Sequence, residues 1–311
     1  MHSIKAIAAK PSTSPNRKRK AENGSVAFPP KRTRFLENYR RQNFSLPNSV
    51  MFYIRTNSPN PKVYEKMIQT CKDFFVKYPR LVVHGLTFNK KLGWHTWDNQ
   101  KRVHFRGAVL NKIWVVDELD VDFDNYYRYV LSFFISNIIQ CDIKKLRIDN
   151  QNIYYREFLF LSKNVEECSI FDCGVADDDG TIVMLENLLK ALPKVTSFRL
   201  TFNLAFPNIT SKTVQEMVKL SHFSNLTHFS LSKVPDIFDM ESFYVYIKGN
   251  EKTKIWLFFD NLASEDYKNR LEAIINEIVE TENHHYKVPM IKFPGQNQST
   301  YDRLHELYSK K

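Results

Sequence analysis

The chain has 311 residues, 43% of them hydrophobic, with 45 Lys/Arg, 34 Asp/Glu and only eight glycines. That length holds roughly two domains with a sizeable core. No run reaches the ~18 apolar residues of a membrane span, since the nearest, residues 130–139, is interrupted by Ser132, Ser136 and Asn137. Four cysteines (Cys71, Cys141, Cys168, Cys173) are too few for a disulfide scaffold, and an apolar signal segment is lacking at the start. A soluble protein in a reducing, intracellular setting is expected, with no membrane contact.

The formal charge of +11 is unevenly spread. Residues 1–45 hold eleven Lys/Arg against Glu22 and Glu37, which leaves 34 basic and 32 acidic side chains for the rest. The basic character therefore belongs to a tail and argues against a folded nucleic-acid surface. Rich in Pro, Ser, Lys and Arg and without apolar periodicity, residues 1–44 are expected to be disordered. Arg19–Lys20 and, ten residues on, Lys31–Arg32–Thr33–Arg34 resemble a bipartite nuclear-import signal. That resemblance implies an import receptor as partner and a nuclear location, with a cytoplasmic, non-specifically basic tail as the alternative. Ser14–Pro15 beside it fits a proline-directed phosphorylation site, whose added negative charge would weaken import. A mitochondrial transit peptide is the lesser rival, because Pro11 and Pro15 spoil a long amphipathic helix.

From residue 45 a small helical module is expected, to about residue 80. Ser45 and Asn48 are candidate caps, Pro47 suits a first turn, and Val50, Met51 and Ile54 share one face. After the break at residues 58–61, the positions Val63, Tyr64, Met67, Ile68, Cys71, Phe74 and Phe75 predict a second helical stripe. Leu46–Pro47, Ile54, Ile68, Cys71–Lys72 and Phe74 follow the order of an F-box. The chain resembles the diversified nematode-type F-box proteins, whose C-terminal halves are repeat-like. The resemblance implies docking on a Skp-type adaptor of a cullin–RING ubiquitin ligase, with Leu46, Pro47, Ile54, Ile68 and Cys71 at the contact. On the residues alone, the same segment reads as a cap on the first repeat.

Residues 85–112 mix Lys90, Lys91, Lys101, Arg102 and Arg106 with Trp94, Trp97, His95 and His104. Such interleaving suits single-stranded nucleic acid. The stronger expectation is an exposed hairpin with buried tryptophans, and nucleic acid is not the expected partner.

From Val116 one nine-residue pattern recurs: apolar-x-x-apolar-x-apolar-x-x-(mostly polar or Cys). Its copies begin at Val116, Ile143, Val165, Val195, Leu226 and, more weakly, Lys252, with Leu81–Asn89 as an imperfect first copy. The spacing approaches the leucine-rich-repeat range. Helices are expected at 126–140, 152–163, 181–192, 211–223, 237–248 and 265–282, with caps at Asp177–Asp179, Thr210–Ser211 and Ser264. The expected fold class is thus α/β: an F-box-like helical module, then a leucine-rich-repeat-like solenoid over 81–311. That solenoid would carry a curved parallel sheet, helices on its convex side and a terminal cap at 286–311.

Strand positions facing outward are the candidate target-binding residues: Arg147, Phe171, Arg199, His228, Trp256 and Phe258. Arg and Trp are the types that dominate binding hot spots. Catalytic signals are missing. No glycine-rich phosphate loop or His-Glu-x-x-His pair occurs, and His284–His285 are adjacent, a poor geometry for shared ligation. Cys168 and Cys173 lack a second ligand pair. No catalytic residue, metal or cofactor is expected, and the function read from the sequence is substrate recruitment by a non-catalytic ligase subunit. The rivals are an F-box-derived scaffold without ligase and a nucleic-acid binder.

Overall fold

The computed structural model of the chain describes residues 46–57, 60–77, 80–98, 101–105, 113–122, 128–205 and 207–310. Arg19, Lys20, Lys31, Arg32 and Arg34 of the expected import signal, with Ser14, Ser45, Arg106 and Asp124, lie outside the described residues. Leu46–Lys311 forms one compact unit of mixed α/β structure.

The strands, in chain order, are β1 (Leu81–Asn89), β2 (Gly93–Asp98), β3 (Lys101–His104), β4 (Ile113–Asp122) and β5 (Ile138–Cys141). Then come β6 (Lys145–Asp149), β7 (Asn152–Tyr154), β8 (Glu167–Phe171), β9 (Gly174–Ala176) and β10 (Ser197–Thr201). The last are β11 (His228–Val234), β12 (Lys254–Phe259) and β13 (Met290–Lys292). Among the described residues, eleven of these form one open sheet in the order β13-β12-β11-β10-β8-β6-β4-β1-β2-β3, with β5 beside β4. From β1 through β4 to β13 every neighbour is parallel, and only β1–β2 and β2–β3 are antiparallel.

The nine-residue pattern explains this order. In each copy the second and third apolar positions alternate with outward residues, the period-2 signature of a strand with one buried face. Leu146 and Ile148, Cys168 and Ile170, Phe198 and Leu200, and Phe229 and Leu231 are all at most 4% exposed. Burying each Leu, Ile or Phe among them is worth about 1.5–3 kcal/mol. The register keeps copies level: Leu146 faces Cys168, Cys168 faces Phe198, Phe198 faces Phe229, and Phe229 faces Ile255. Phe198 and Phe229 also stack, with ring centroids 6.0 Å apart.

The polar ninth position closes the turn after the strand. Asn150, Asp172 and Lys233 take left-handed backbone (φ 54°, 50° and 55°), which exposes peptide groups that a side chain must satisfy. The buried Gln151 amide accepts the Leu131 N–H and donates to the Asn150 carbonyl, while the Cys173 thiol donates to Phe171 and Ile148 carbonyls. Asn203 donates to the Asp172 carbonyl.

Between strands the helices are shorter than expected: Val130–Ile135, Tyr155–Ser162, Leu185–Lys190, Thr213–Val218 and Met240–Lys248. Two expected helices give part of their length to strands. Residues 138–141 become β5 because the ten-residue β4 outruns β6, and β5 pairs with its first half (Ile113↔Ile138, Val115↔Cys141). Residues 152–154 become β7, which pairs with β9 in a separate two-stranded parallel sheet. Ser264 caps the helix Glu265–Glu280 as expected, accepting the Tyr267 N–H at 3.4 Å. Asp179 instead accepts the Thr181 N–H in a turn, and Thr210 accepts that of Lys212 ahead of an uncapped helix.

In the N-terminal module, the helix Asn48–Thr56 starts after Pro47 without a side-chain cap. Asn60 caps the helix Pro61–Thr70 by accepting the Lys62 N–H at 2.8 Å. The single stripe expected over 63–75 is broken at Cys71, whose backbone is extended (φ −146°, ψ 116°), and a short helix Lys72–Lys77 comes next. Tyr64 fastens the module to the sheet. Its buried ring lies 6.1 Å from that of Trp114 on β4, and its hydroxyl accepts the Arg80 N–H at 2.9 Å. At the far end, Asn297 caps the helix Gln298–Ser309, which packs on β13 and buries Leu304.

A candidate protein-recognition face on the sheet

Outward residues of the parallel strands fall into three level rows. The middle row runs Thr87, Asp120, Arg147, Ser169, Arg199, Ser230, Trp256 across β1, β4, β6, β8, β10, β11 and β12. One row over, Asp149 faces Phe171, then come Thr201, Ser232, Phe258 and Lys292. On the other side Glu118 faces Lys145, followed by Glu167, Ser197, His228 and Lys254. The strands thus bring Arg147, Phe171, Arg199, His228, Trp256 and Phe258 onto one surface, because each holds one of the three outward frame positions.

Their environments differ. Arg147 Nε lies 3.9 Å from Asp120 Oδ1, and its guanidinium sits 5.6 Å from the Phe171 ring centroid. Arg199 is exposed and makes no ion pair or hydrogen bond among the described residues; Ser169 and Ser230 flank it across the sheet. His228 is exposed, with Nδ1 3.0 Å from the Thr227 hydroxyl. Trp256 remains 43% exposed although the Tyr308 ring of the C-terminal helix meets it edge-on at 6.2 Å. Phe258 is half-buried.

Electrostatically the face has two halves. On β4, β6 and β8 it carries Glu118, Asp120, Asp122, Asp149 and Glu167 against Lys145 and Arg147, and Lys145 is already paired with Glu167 at 3.0 Å. Burial pushes the Asp120 carboxyl above its ordinary range, with Arg147 opposing and Glu118 and Asp122 adding to the rise. Burial does the same to Asp149, reinforced by Asp122, Asp172 and Asp120 and opposed by Arg147. On β10 to β13 the rows carry Arg199, Lys254 and Lys292 and no carboxylate.

Lys254 and Lys292 were not picked out from the sequence. Their ammonium groups lie 4.4 Å from the Tyr308 ring and 5.1 Å from the Tyr301 ring. Extending the outward rows by one residue finds Lys254, whereas the tyrosines belong to a helix outside the repeat frame. Also unforeseen is the ion pair from Lys233 to Asp172 (2.8 Å), which joins turns two strands apart.

Among the adaptor-contact candidates, Leu46 is 47% exposed, Pro47 is exposed, and Ile54 and Ile68 are partly buried. Cys71 is only 8% exposed: its extended backbone turns the thiol inward, so it supports the module from beneath. Val50, Phe52, Tyr53 and Val63 add large exposed apolar side chains to the same module.

In the hairpin, Trp94 stacks on Phe134 at 4.0 Å. Trp97, expected to be buried, is 54% exposed on β2 beneath the guanidinium of Arg102, its register partner on β3.

Among the described residues no group of three or more His, Cys, Asp or Glu side chains is placed to hold a metal ion. No helix among them is long and apolar enough to cross a membrane. No family model matches the chain, and no curated protein matches it.

Proposed function

We propose that this chain is a non-catalytic recognition subunit. Its sheet, read as a leucine-rich-repeat-like solenoid, holds a protein target on the row Arg147–Arg199–Trp256. Its N-terminal helices, read as F-box-like, dock a Skp-type adaptor and cullin, and the basic tail directs it to the nucleus. The observation that carries the recognition role is the level register of an exposed tryptophan with an arginine that has no partner among the described residues and is flanked by Ser169 and Ser230. Such anchors supply most of the energy of a protein interface. The exposed Leu46, Val50, Phe52 and Val63 support the docking role, since helix-on-helix contacts are built from apolar side chains of this kind. Ubiquitin transfer would belong to the partner enzymes, and this chain would contribute effective concentration.

The test is immunoprecipitation of the full chain and identification of a Skp-type adaptor and a cullin in the precipitate. Retention of both, lost in the Leu46→Ala/Pro47→Ala double variant, is the expected result. A folded chain that binds neither would leave the scaffold reading, in which the sheet holds its partner without any ligase.

A further inference from the structure

The charge on the exposed face is divided in a way that constrains what can lie on it. The half built from β4, β6 and β8 is acidic, and its two cations are engaged, Lys145 with Glu167 and Arg147 with Asp120. The half built from β10 to β13 presents Arg199, Lys254 and Lys292 with no carboxylate in its rows. Two of these cations rest over tyrosine rings of the C-terminal helix, a contact that lowers the energy of an ammonium without neutralising it. Arg199 lacks even that.

The ground around Arg199 is low and polar. Ser169 and Ser230 flank it along the row, and Ser197 and Thr201 lie on either side of it on its own strand. A guanidinium presents five N–H donors in a planar fork that fits a carboxylate, and nearby hydroxyls supply further donors. Beyond Ser230 in the same row stands Trp256, and Phe171 occupies the neighbouring row on β8. From β8 to β12 is three strand spacings, about 14 Å at ~4.8 Å each, which roughly four residues of extended chain span.

We infer that the β10–β13 half of this face receives an extended acidic segment of a partner protein. A carboxylate of that segment engages Arg199, and an apolar side chain further along the same face of the segment rests on Trp256, two strands away. This deepens the recognition role proposed above and rests on the sheet being the target-binding surface. It adds the chemistry of the target and the half of the face that reads it. A basic segment is repelled on this half, and an uncharged one offers Arg199 only neutral acceptors, without the stronger charge-assisted pair.

The experiment uses the purified full chain, without adaptor or cullin, so its outcome is independent of whether the ligase reading holds. Three fluorescent peptides of equal length serve as probes. One sets Asp or Glu and Leu two residues apart, so that both face the same side of an extended chain, and carries a photoreactive benzoylphenylalanine; the others carry Asn/Gln or Lys in place of the acids. Binding is followed by fluorescence anisotropy, and cross-links are mapped by mass spectrometry. The acidic peptide should bind at least tenfold more tightly than either control and cross-link within β8 to β13. R199E and W256A should each weaken it about tenfold, whereas K212E, an exposed charge-matched change at a helix start, should not. Both site positions are exposed, and circular dichroism confirms the fold of each variant.

Cross-links confined to residues 1–45 would assign the binding to the basic tail and overturn the inference. Equal affinities for the three peptides, or equal effects of R199E and K212E, would do the same. So would a single-stranded oligouridine whose binding is lost in R199E, because the surface would then belong to nucleic acid.

Discussion

Arg147 and Arg199 stand in one row, with Ser169 between them on β8, yet their charges are spent differently. Arg147 is held between Asp120 and the Phe171 ring, while Arg199 has no partner among the described residues. Of the two, Arg147 also serves the protein's own electrostatics, whereas the whole charge of Arg199 is available to a ligand.

Arg199→Ala should therefore leave stability within about 0.5 kcal/mol of the parent while weakening target binding by about 1–2 kcal/mol, more than most interface residues cost on truncation. Arg147→Ala should show the reverse emphasis. Asp120 Oδ1 is buried without a hydrogen-bond partner, and removing the nearby cation costs folding stability. Urea denaturation of both variants beside binding measurements separates the two roles.

Asp149→Asn should stabilise the fold near neutral pH. The carboxyls of Asp149 and Asp120 are both raised by burial and like-charged neighbours. A group whose folded-state pKa is raised binds more protons folded than unfolded just above the ordinary carboxylate pKa. Stability then falls as pH rises through that interval. Asparagine mimics the protonated form, so the gain over wild type should be largest near neutrality and vanish below about pH 3.9, the unfolded value for Asp. Glu277, lowered first by its hydrogen bond from Lys248, works oppositely and loses its contribution as pH falls. Denaturation midpoints across pH for wild type and Asp149→Asn check the sign.

Tyr64→Phe should loosen the N-terminal helices from the sheet. The change keeps the ring against Trp114 but removes the acceptor for the Arg80 N–H. A lost part-buried hydrogen bond of this kind costs about 1–2 kcal/mol. Hydrogen exchange should speed up over 48–77 more than in β6 to β11.

Thiol chemistry gives an independent check on the turns. Burial pushes the Cys141 and Cys173 thiols up to about 12 and Cys168 higher still. Because the thiolate is the reactive form, these three should resist a thiol reagent at neutral pH in the native protein and react once it is unfolded in urea.

The sheet was legible in the sequence because the alternation of apolar residues is short-range and repeats in frame. Leu146, Cys168, Phe198 and Phe229 needed no tertiary information to be placed inward, nor did Arg147, Arg199 and Trp256 to be placed outward. What the sequence concealed depended on neighbours. The β5 strand exists because β4 is longer than β6, and β7 because β9 lies one copy further along the chain. The break at Cys71 interrupts an apolar stripe that reads as continuous helix. Lys254 and Lys292 gain meaning only from Tyr308 and Tyr301, which a separate helix brings to the sheet.

The measurement that bears most directly on the recognition role is quantitative affinity purification of three tagged full-length forms: wild type, Arg199→Glu/Trp256→Ala, and Leu46→Ala/Pro47→Ala. A reciprocal pattern is expected. The face variant should lose target proteins while keeping a Skp-type adaptor and cullin, and the helix variant should keep the targets and lose the adaptor. An unchanged set of partners in the face variant, with its fold intact, would contradict the recognition role.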